Sequence, residues 1–369
     1  MIFDFLKYCL GGKGNMSRVV ADIDWEQLYS FASKQAILGV CFDGIERLGK
    51  EYPNELKKNP IGKNLLMTWM GKAQQIRRQN MKVNAVAAKL YSKFRVDGLR
   101  CCILKGQGNA LMYPNVYSRN PGDIDAWVNA SHEDIRVLAQ SLAKGKGCVK
   151  DESLNHIELE VNGVAVELHS TPAIMNNPVY NNRLQKWLKR NADLQCSNIV
   201  SLPDNAGDVA VPTSYFNCVY QLFHLYHHYF YEGVGLRQIV DYYYVVSMFN
   251  VDCVMFNSLQ RELKYLGLWK FAGAVMYVMH VALGLPEEKM IAPMDEKRGK
   301  LLLAEILNGG NFGKHFTKYG HFTQQGMAKK YFLKIWRNMH FVRYYPAEAL
   351  SEPIFRTWHF FWRKGQGSV

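Results

Sequence analysis

The 369-residue chain reads as an α+β protein, a small mixed sheet with helices, flanked by N-terminal and C-terminal helical regions. Three observations carry that expectation. Residues 64 to 96 hold Ile76, Val83, Val86, Ala87 and Leu90 at helical spacing. Between residues 100 and 170 the pattern changes to short apolar runs separated by turn signals, ending in NHIELEVNGVAVELHS. From Thr213 the helical period returns in SYFNCVYQLFHLYHHYFY and then LRQIVDYYYVVSMF. The implied boundaries are a helical region over 1–98, an α/β core over 99–212 and a helical region over 213–369.

The elements follow in order. Ile23, Leu28, Phe31 and Ala32, then Ile37, Val40, Ile45 and Leu48, fall near helical spacing, with Pro53 and Pro60 as breaks. On the long helix that follows, Lys72, Arg77, Arg78, Lys82 and Lys89 fit a solvated face better than a cleft lining. An apolar strand from Cys101 ends in Lys105-Gly106, and a short helical or irregular passage leads to a second strand carrying Asp123-Ile124-Asp125. Ser131 is a good N-cap with Asp134 in the first turn, so a helix should run to about Lys144 and stop at Gly145 and Gly147.

The hairpin register can be derived from its turn. Asn162-Gly163 suits a two-residue primed turn. Pairing Val161 with Val164 then places Glu158 opposite Glu167 and His156 opposite His169. Ile157, Leu159, Val161, Val164, Val166 and Leu168 share a dry face, while His156, Glu158, Glu160, Glu167 and His169 share a polar one. Like charges directly opposite are destabilising, so the polar face calls for a cation or for solvent. Residues 171 to 214, with Pro172, Pro178, Pro203 and Pro212, read as a turn-rich connection.

Composition excludes several classes. Hydrophobic residues at 48% and charged residues at 21% suit a folded chain without low-complexity tracts. The apolar run Phe271 to Leu285 has 15 residues and includes His280, short of the roughly 20 needed to span a bilayer. The start, MIFDFLKYCLGGKG, makes a poor signal peptide, and eight scattered cysteines without a C-x-x-C pair suit reduced thiols in the cytoplasm. The net charge of +13 lies on the flanks, since residues 101–250 hold 11 Lys+Arg against 14 Asp+Glu. That distribution fits nucleic acid, an anionic surface, a polyphosphate substrate or solubility alone, and nothing in the sequence requires nucleic acid. In the tail from Lys329 to Lys364, eight Lys+Arg and many aromatics fit packing on the body better than stacking on single strands.

The chemistry centres on Asp123-Ile124-Asp125. In a strand, Asp123 and Asp125 point the same way and Ile124 the other. Two such carboxylates and a third on a neighbouring strand, for which Glu167 is the choice, can hold Mg²⁺ or Mn²⁺ against substrate phosphates. His224 and His228 at i and i+4 could ligate a metal, but buried or interfacial histidines are the better account. The glycine-rich Asn308 to Gly313 lacks the lysine and the preceding strand of a phosphate loop.

Leu104-Lys105-Gly106, Tyr113-Pro114, Arg119, Asp123-Ile124-Asp125, His156, Val166-Glu167-Leu168-His169, Leu236-Arg237 and Asp241 together resemble the nucleotidyltransferases of the DNA polymerase beta superfamily, most closely their uncharacterised bacterial branch. The resemblance implies a nucleotidyltransferase-type sheet, metal on Asp123, Asp125 and Glu167 as the catalytic set, and transfer of a nucleoside monophosphate from NTP to an acceptor with release of pyrophosphate. It implies nucleotide binding by Lys105, Gly106, Arg119, His156, His169, Arg237 and Asp241. Where the superfamily usually has Gly-Ser, this chain has Lys105-Gly106 and then Gln107-Gly108, with a longer gap to Asp123. Lys105 could bind phosphate as a point charge or end a strand in solvent; Arg119 could clamp a phosphate or neutralise the acidic pair. The acceptor, whether small molecule, protein or RNA end, is not identified by the sequence. A catalytically lapsed module binding nucleotide, RNA or protein is the alternative, and a D-x-D nucleotide-sugar glycosyltransferase a weaker one.

Overall fold

A computed structural model describes residues 1–146, 149–250, 252–316 and 327–365. The N-terminal helices are α1 (Ile2–Cys9), α2 (Ser17–Asp22), α3 (Trp25–Lys34), α4 (Leu38–Glu51), α5 (Pro53–Lys58) and the long α6 (Lys63–Val96). The α/β region follows with β1 (Cys101–Leu104), α7 (Gly106–Ala110), β2 (Ile124–Val128), α8 (His132–Lys146), β3 (Val149–Glu152), β4 (His156–Val161) and β5 (Val164–His169). Then come α9 (Pro178–Ser197), β6 (Ile199–Leu202), β7 (Gly207–Ala210), α10 (Ser214–Tyr231), α11 (Leu236–Met248), α12 (Cys253–Tyr265), α13 (Trp269–Val278) and α14 (Glu296–Gly309). Helices α15 (Met327–Met339) and α16 (Pro346–Gly365) complete the described chain. No single helix among the described residues is long and apolar enough to cross a membrane.

The main sheet has the order β1-β2-β5-β4-β3, and only the β2–β5 pair is parallel. The β4–β5 hairpin has the register its turn implies, with Val161 opposite Val164, Glu158 opposite Glu167 and His156 opposite His169. Asn162 and Gly163 both take positive φ, as a primed turn requires. One face of the sheet is dry. Ile124, Ala126, Ile157, Leu159, Val166 and Leu168 are buried together with Val83 and Phe94 of α6 and Ile135 of α8.

The opposite face is divided. Cys102, Leu104 and Trp127 join the large core that also contains the N-terminal and C-terminal helices. Trp127 stacks on Phe216 of α10 with ring centroids 5.9 Å apart. The rest of that face is polar and forms the floor of a cleft. The hairpin thus has an outer face that another layer of helices roofs over, and it is not an open solvated surface.

Four expectations need correction. Residues 171–214 are not a simple connection, because they hold the 20-residue α9 and the β6–β7 hairpin. Pro178 begins that helix, where its missing N–H costs nothing, and Asn177 caps it by accepting from the N–H groups of Val179 and Tyr180. Asp123 precedes β2, which starts at Ile124. Helix α8 continues through Gly145 to Lys146, while Gly147 lies outside the described residues. Its start is as expected, with Ser131 Oγ accepting from the Asp134 N–H at 3.2 Å. In the tail, packing accounts for Phe341 and Tyr345, which are buried, but leaves Phe332, Ile354 and Phe361 exposed. These helices carry apolar residues on more than one face, and the body covers only one.

Candidate functional site

The cleft above the polar half of the sheet has a volume of about 610 Å³. All ten residues expected to act, from Lys105 to Asp241, line it. The floor comes from the parallel β2–β5 pair, where Asp125 is the registered neighbour of Glu167 and Trp127 that of His169. Asp123 stands at the entrance to β2, and His156 faces His169 across the hairpin, ring centroids 5.2 Å apart. The roof comes from α10 and the start of α11, which place His224, His227, His228, Arg237 and Asp241 along it.

Lys105 is not a solvent-facing strand end. Its side chain is 15% exposed and its Nζ lies 2.8 Å from Oδ1 of Asp125, itself 3% exposed. The backbone at Lys105 has φ +50°, a conformation rare for a side-chain-bearing residue, and Gly106 continues it at +31°. Such strain persists only where surrounding structure enforces it, and it is concentrated at functional sites. On its other side, Lys105 Nζ is 3.2 Å from Nε2 of His224, which in turn is 2.9 Å from Nε2 of His228. Burial and then the Lys105 charge push His224 well below the ordinary histidine range. A neutral ring therefore faces the ammonium.

The acids are held in different states. His169 Nε2 lies 3.1 Å from Oδ1 of Asp125 and 3.2 Å from Oε2 of Glu167. Burial alone would lower its pKa, but these two carboxylates outweigh burial and raise it to about 9. Burial likewise opposes the charge on Asp125 and Glu167; Lys105 and His169 for the former, His169 and His156 for the latter, hold both below the usual carboxylate range. Asp123 has less compensation. Burial and the Asp125 charge raise it to about 6. His156 is lowered to about 4 by burial and by the neighbouring His169. The site is an alternating cluster of charges whose balance depends on Lys105 and His169.

Arg119 does not reach the acidic pair as a direct partner. Its Nε and Nη2 each donate to Asp241 at 2.9 Å, in the bidentate geometry of the guanidinium fork, and Tyr113 OH donates to the same carboxylate at 2.6 Å. Arg237, one turn before Asp241, donates to the carbonyl of Asn120 at 3.2 Å and lies over the Phe312 ring at 5.4 Å. Asp241 therefore ties the loop before Asp123 to α11, and Arg237 lines the same cleft.

Several contributors were not apparent from the sequence. Asn80, midway along α6, donates from Nδ2 to the carbonyls of Tyr117 and Arg119 at 3.2 and 2.8 Å. Gly39 allows α4 to approach that loop, since a Cβ there would collide with the Ser118 carbonyl. Phe312 and Lys314, beside the glycine-rich segment set aside as a phosphate loop, line the cleft. His224 and His228, noted in the sequence at i and i+4, are partly buried interfacial histidines as expected, and the interface they face is the cleft.

A crystal structure of an antigenic nucleotidyltransferase-like protein from Paracoccidioides brasiliensis is similar at 16% identity, covering 50% of this chain and 92% of that one, with a TM-score of 0.31. At that level the likeness carries no argument. No curated protein matches. Residues 21–284, from the N-terminal helices through the sheet to α13, match the family described as uncharacterised nucleotidyltransferase, and the chain belongs to that family.

Proposed function

We propose that this protein is a metal-dependent enzyme that transfers a nucleoside monophosphate from NTP to an acceptor, releasing pyrophosphate. The observation that carries the reading is the registered pairing of Asp125 with Glu167 on the cleft floor, beside Asp123. The donor set suits a hard divalent cation, because Asp125 and Glu167 are registered neighbours on the cleft floor, Asp123 stands at the entrance to the same strand, and the two registered acids already gather positive groups in Lys105 and His169. Asp123, Asp125 and Glu167 would hold Mg²⁺ or Mn²⁺, which supplies charge neutralisation for the triphosphate and activation of the attacking hydroxyl.

The chain's own residues supply the rest. Lys105 is a point charge able to exchange part of its pairing with Asp125 for a phosphate oxygen. Gly106 allows close backbone approach, and Arg237 adds positive charge at the cleft wall. Arg119 and Asp241 position this machinery by joining the Asp123 loop to α11. His156 and His169 tune the carboxylates from the hairpin side. Residues 99–212 would carry the chemistry, with the region from 213 forming the other wall of the cleft. The described cysteines are free thiols, which supports a reducing, cytoplasmic setting.

One observation favours the lapsed binding module as a second reading. Lys105 Nζ and His169 Nε2 both contact Oδ1 of Asp125, so that acid is neutralised without any metal ion. Among the described residues a largely helical segment precedes β1, which disfavours the glycosyltransferase reading and its expected nucleotide-binding α/β unit. The test is incubation with each labelled NTP, Mg²⁺ or Mn²⁺ and a host lysate, following pyrophosphate release and the labelled product. Transfer should occur with the native protein and fall at least about a hundredfold in Asp125→Asn, as expected for loss of a group acting on the reacting centre. NTP binding without pyrophosphate release would establish the second reading instead.

A further inference from the structure

We propose a second cation position in the cleft, built from His156, Glu167 and His169, that takes a divalent first-row transition ion such as Zn²⁺ or Co²⁺ in preference to Mg²⁺. It rests on the proposed function only in sharing Glu167, and it stands on separate geometry. One ligand atom from each of the three residues lies within 4.8 Å of the others. The 3.2 Å between His169 Nε2 and Glu167 Oε2 is close to the spacing of roughly 3.4 Å expected between ligands of one tetrahedral ion with metal–ligand bonds of about 2.1 Å. Small side-chain movements would bring His156 into the same shell.

The type of donor decides the type of ion. Two imidazole nitrogens and one carboxylate are poor ligands for Mg²⁺, which prefers oxygen and retained water, and good ones for borderline ions. Ser153 Oγ lies 2.9 Å from His156 Nδ1, the kind of outer partner that fixes a ligating ring and leaves Nε2 for the ion. The three residues come from adjacent positions of one rigid hairpin, with His156 registered against His169 and Glu167 two residues before it. A preformed set on a sheet costs less ordering than one assembled from loops. Three protein ligands leave a coordination position facing the cleft, the arrangement of sites that also bind substrate or water.

The test uses the full chain without an affinity tag, stripped of metal and titrated with Co²⁺ and Zn²⁺ in millimolar Mg²⁺. Visible Co²⁺ absorption bands should saturate at one equivalent, and X-ray absorption of the Zn²⁺ form should show two imidazoles. His156→Ala should weaken Co²⁺ at least tenfold, and His169→Gln should leave at most one imidazole in the shell. Displacement of Co²⁺ by Mg²⁺ at similar concentration, or a shell without nitrogen, would overturn the proposal. Pyrophosphate release is measured separately in Mg²⁺ alone: transfer without the nitrogen shell leaves the enzyme reading standing and this one refuted, and the nitrogen shell without transfer does the reverse.

Discussion

Lys105 Nζ lies 2.8 Å from Oδ1 of Asp125, and these two side chains, 15% and 3% exposed, join the residue that follows β1 to β2. Removing the lysine leaves a buried carboxylate beside Asp123 and Glu167 with His169 as its remaining cationic partner. Breaking such a pair costs about 3–5 kcal/mol. Lys105→Met should therefore unfold at markedly lower urea concentration, and Mg²⁺ or Mn²⁺ should restore more stability to it than to the native chain. Urea titrations with and without the ion measure both effects. Equal stability of the two proteins without metal would show that the pair is not the compensation described.

Asn80 makes a second prediction, about a residue remote from the acids. Its Nδ2 holds the carbonyls of Tyr117 and Arg119, and so fixes the loop that delivers Asp123. Asn80→Ala should cost about 1–3 kcal/mol through the carbonyls left without a donor. It should also lower the transfer rate more than it raises KM for NTP, because it loosens the position of an acid and leaves the phosphate-facing charges in place. A variant with native kcat would show that the loop is held adequately by the Arg119–Asp241 pair alone.

How much was legible in the sequence follows from the range of the forces involved. The hairpin could be read to the residue because Asn162-Gly163 fixes a local turn and period-two alternation does the rest. The long α6 was equally plain from its apolar spacing. Lys105 was ambiguous because its contacts with Asp125 and His224 join residues 20 and 119 positions away, which no local pattern encodes. Pro178 misled for a simpler reason: proline at a helix start looks the same, in sequence, as proline in a turn. His224 and His228 share the roof of the cleft only because α10 packs over the sheet through Phe216 and Trp127. Their spacing was visible, but what they faced was not.

A third prediction concerns Arg119, Asp241 and Tyr113. The guanidinium gives two hydrogen bonds to Asp241, the phenol gives a third, and Arg119 Nη1 is buried without a partner. Asp241→Ala should destabilise by about 3–5 kcal/mol, since a buried guanidinium is left uncompensated. Tyr113→Phe should cost about 1.5–3 kcal/mol, the range for a bond to a charged acceptor. Arg119→Met combined with Asp241→Leu should recover most of the loss, because removing both charges also removes the need to desolvate them. Urea unfolding of Arg119→Met, Asp241→Leu and the double variant that combines them gives the coupling; additive losses would refute the network.

A fourth prediction follows from Glu348, at the start of α16 and far from the acidic cluster in the chain. It accepts from Asn176 N at 2.9 Å and Asn176 Nδ2 at 2.7 Å, which joins α16 to the segment before α9. Burial raises its pKa despite those hydrogen bonds. The folded state therefore binds a proton at pH values where the unfolded chain has released it, and this group's contribution to stability must fall as pH rises from the unfolded value through the folded one. Glu348→Gln has no such titration. The stability of the native chain minus that of the variant should decline as pH increases from about 4 and level off once both states are ionised, in urea unfolding measured up to about pH 8. Other titrating groups cancel in the difference because they are common to both proteins. A difference independent of pH, or one that rises with it, would show that the Asn176 hydrogen bonds compensate burial in full and that Glu348 enters the interface already ionised.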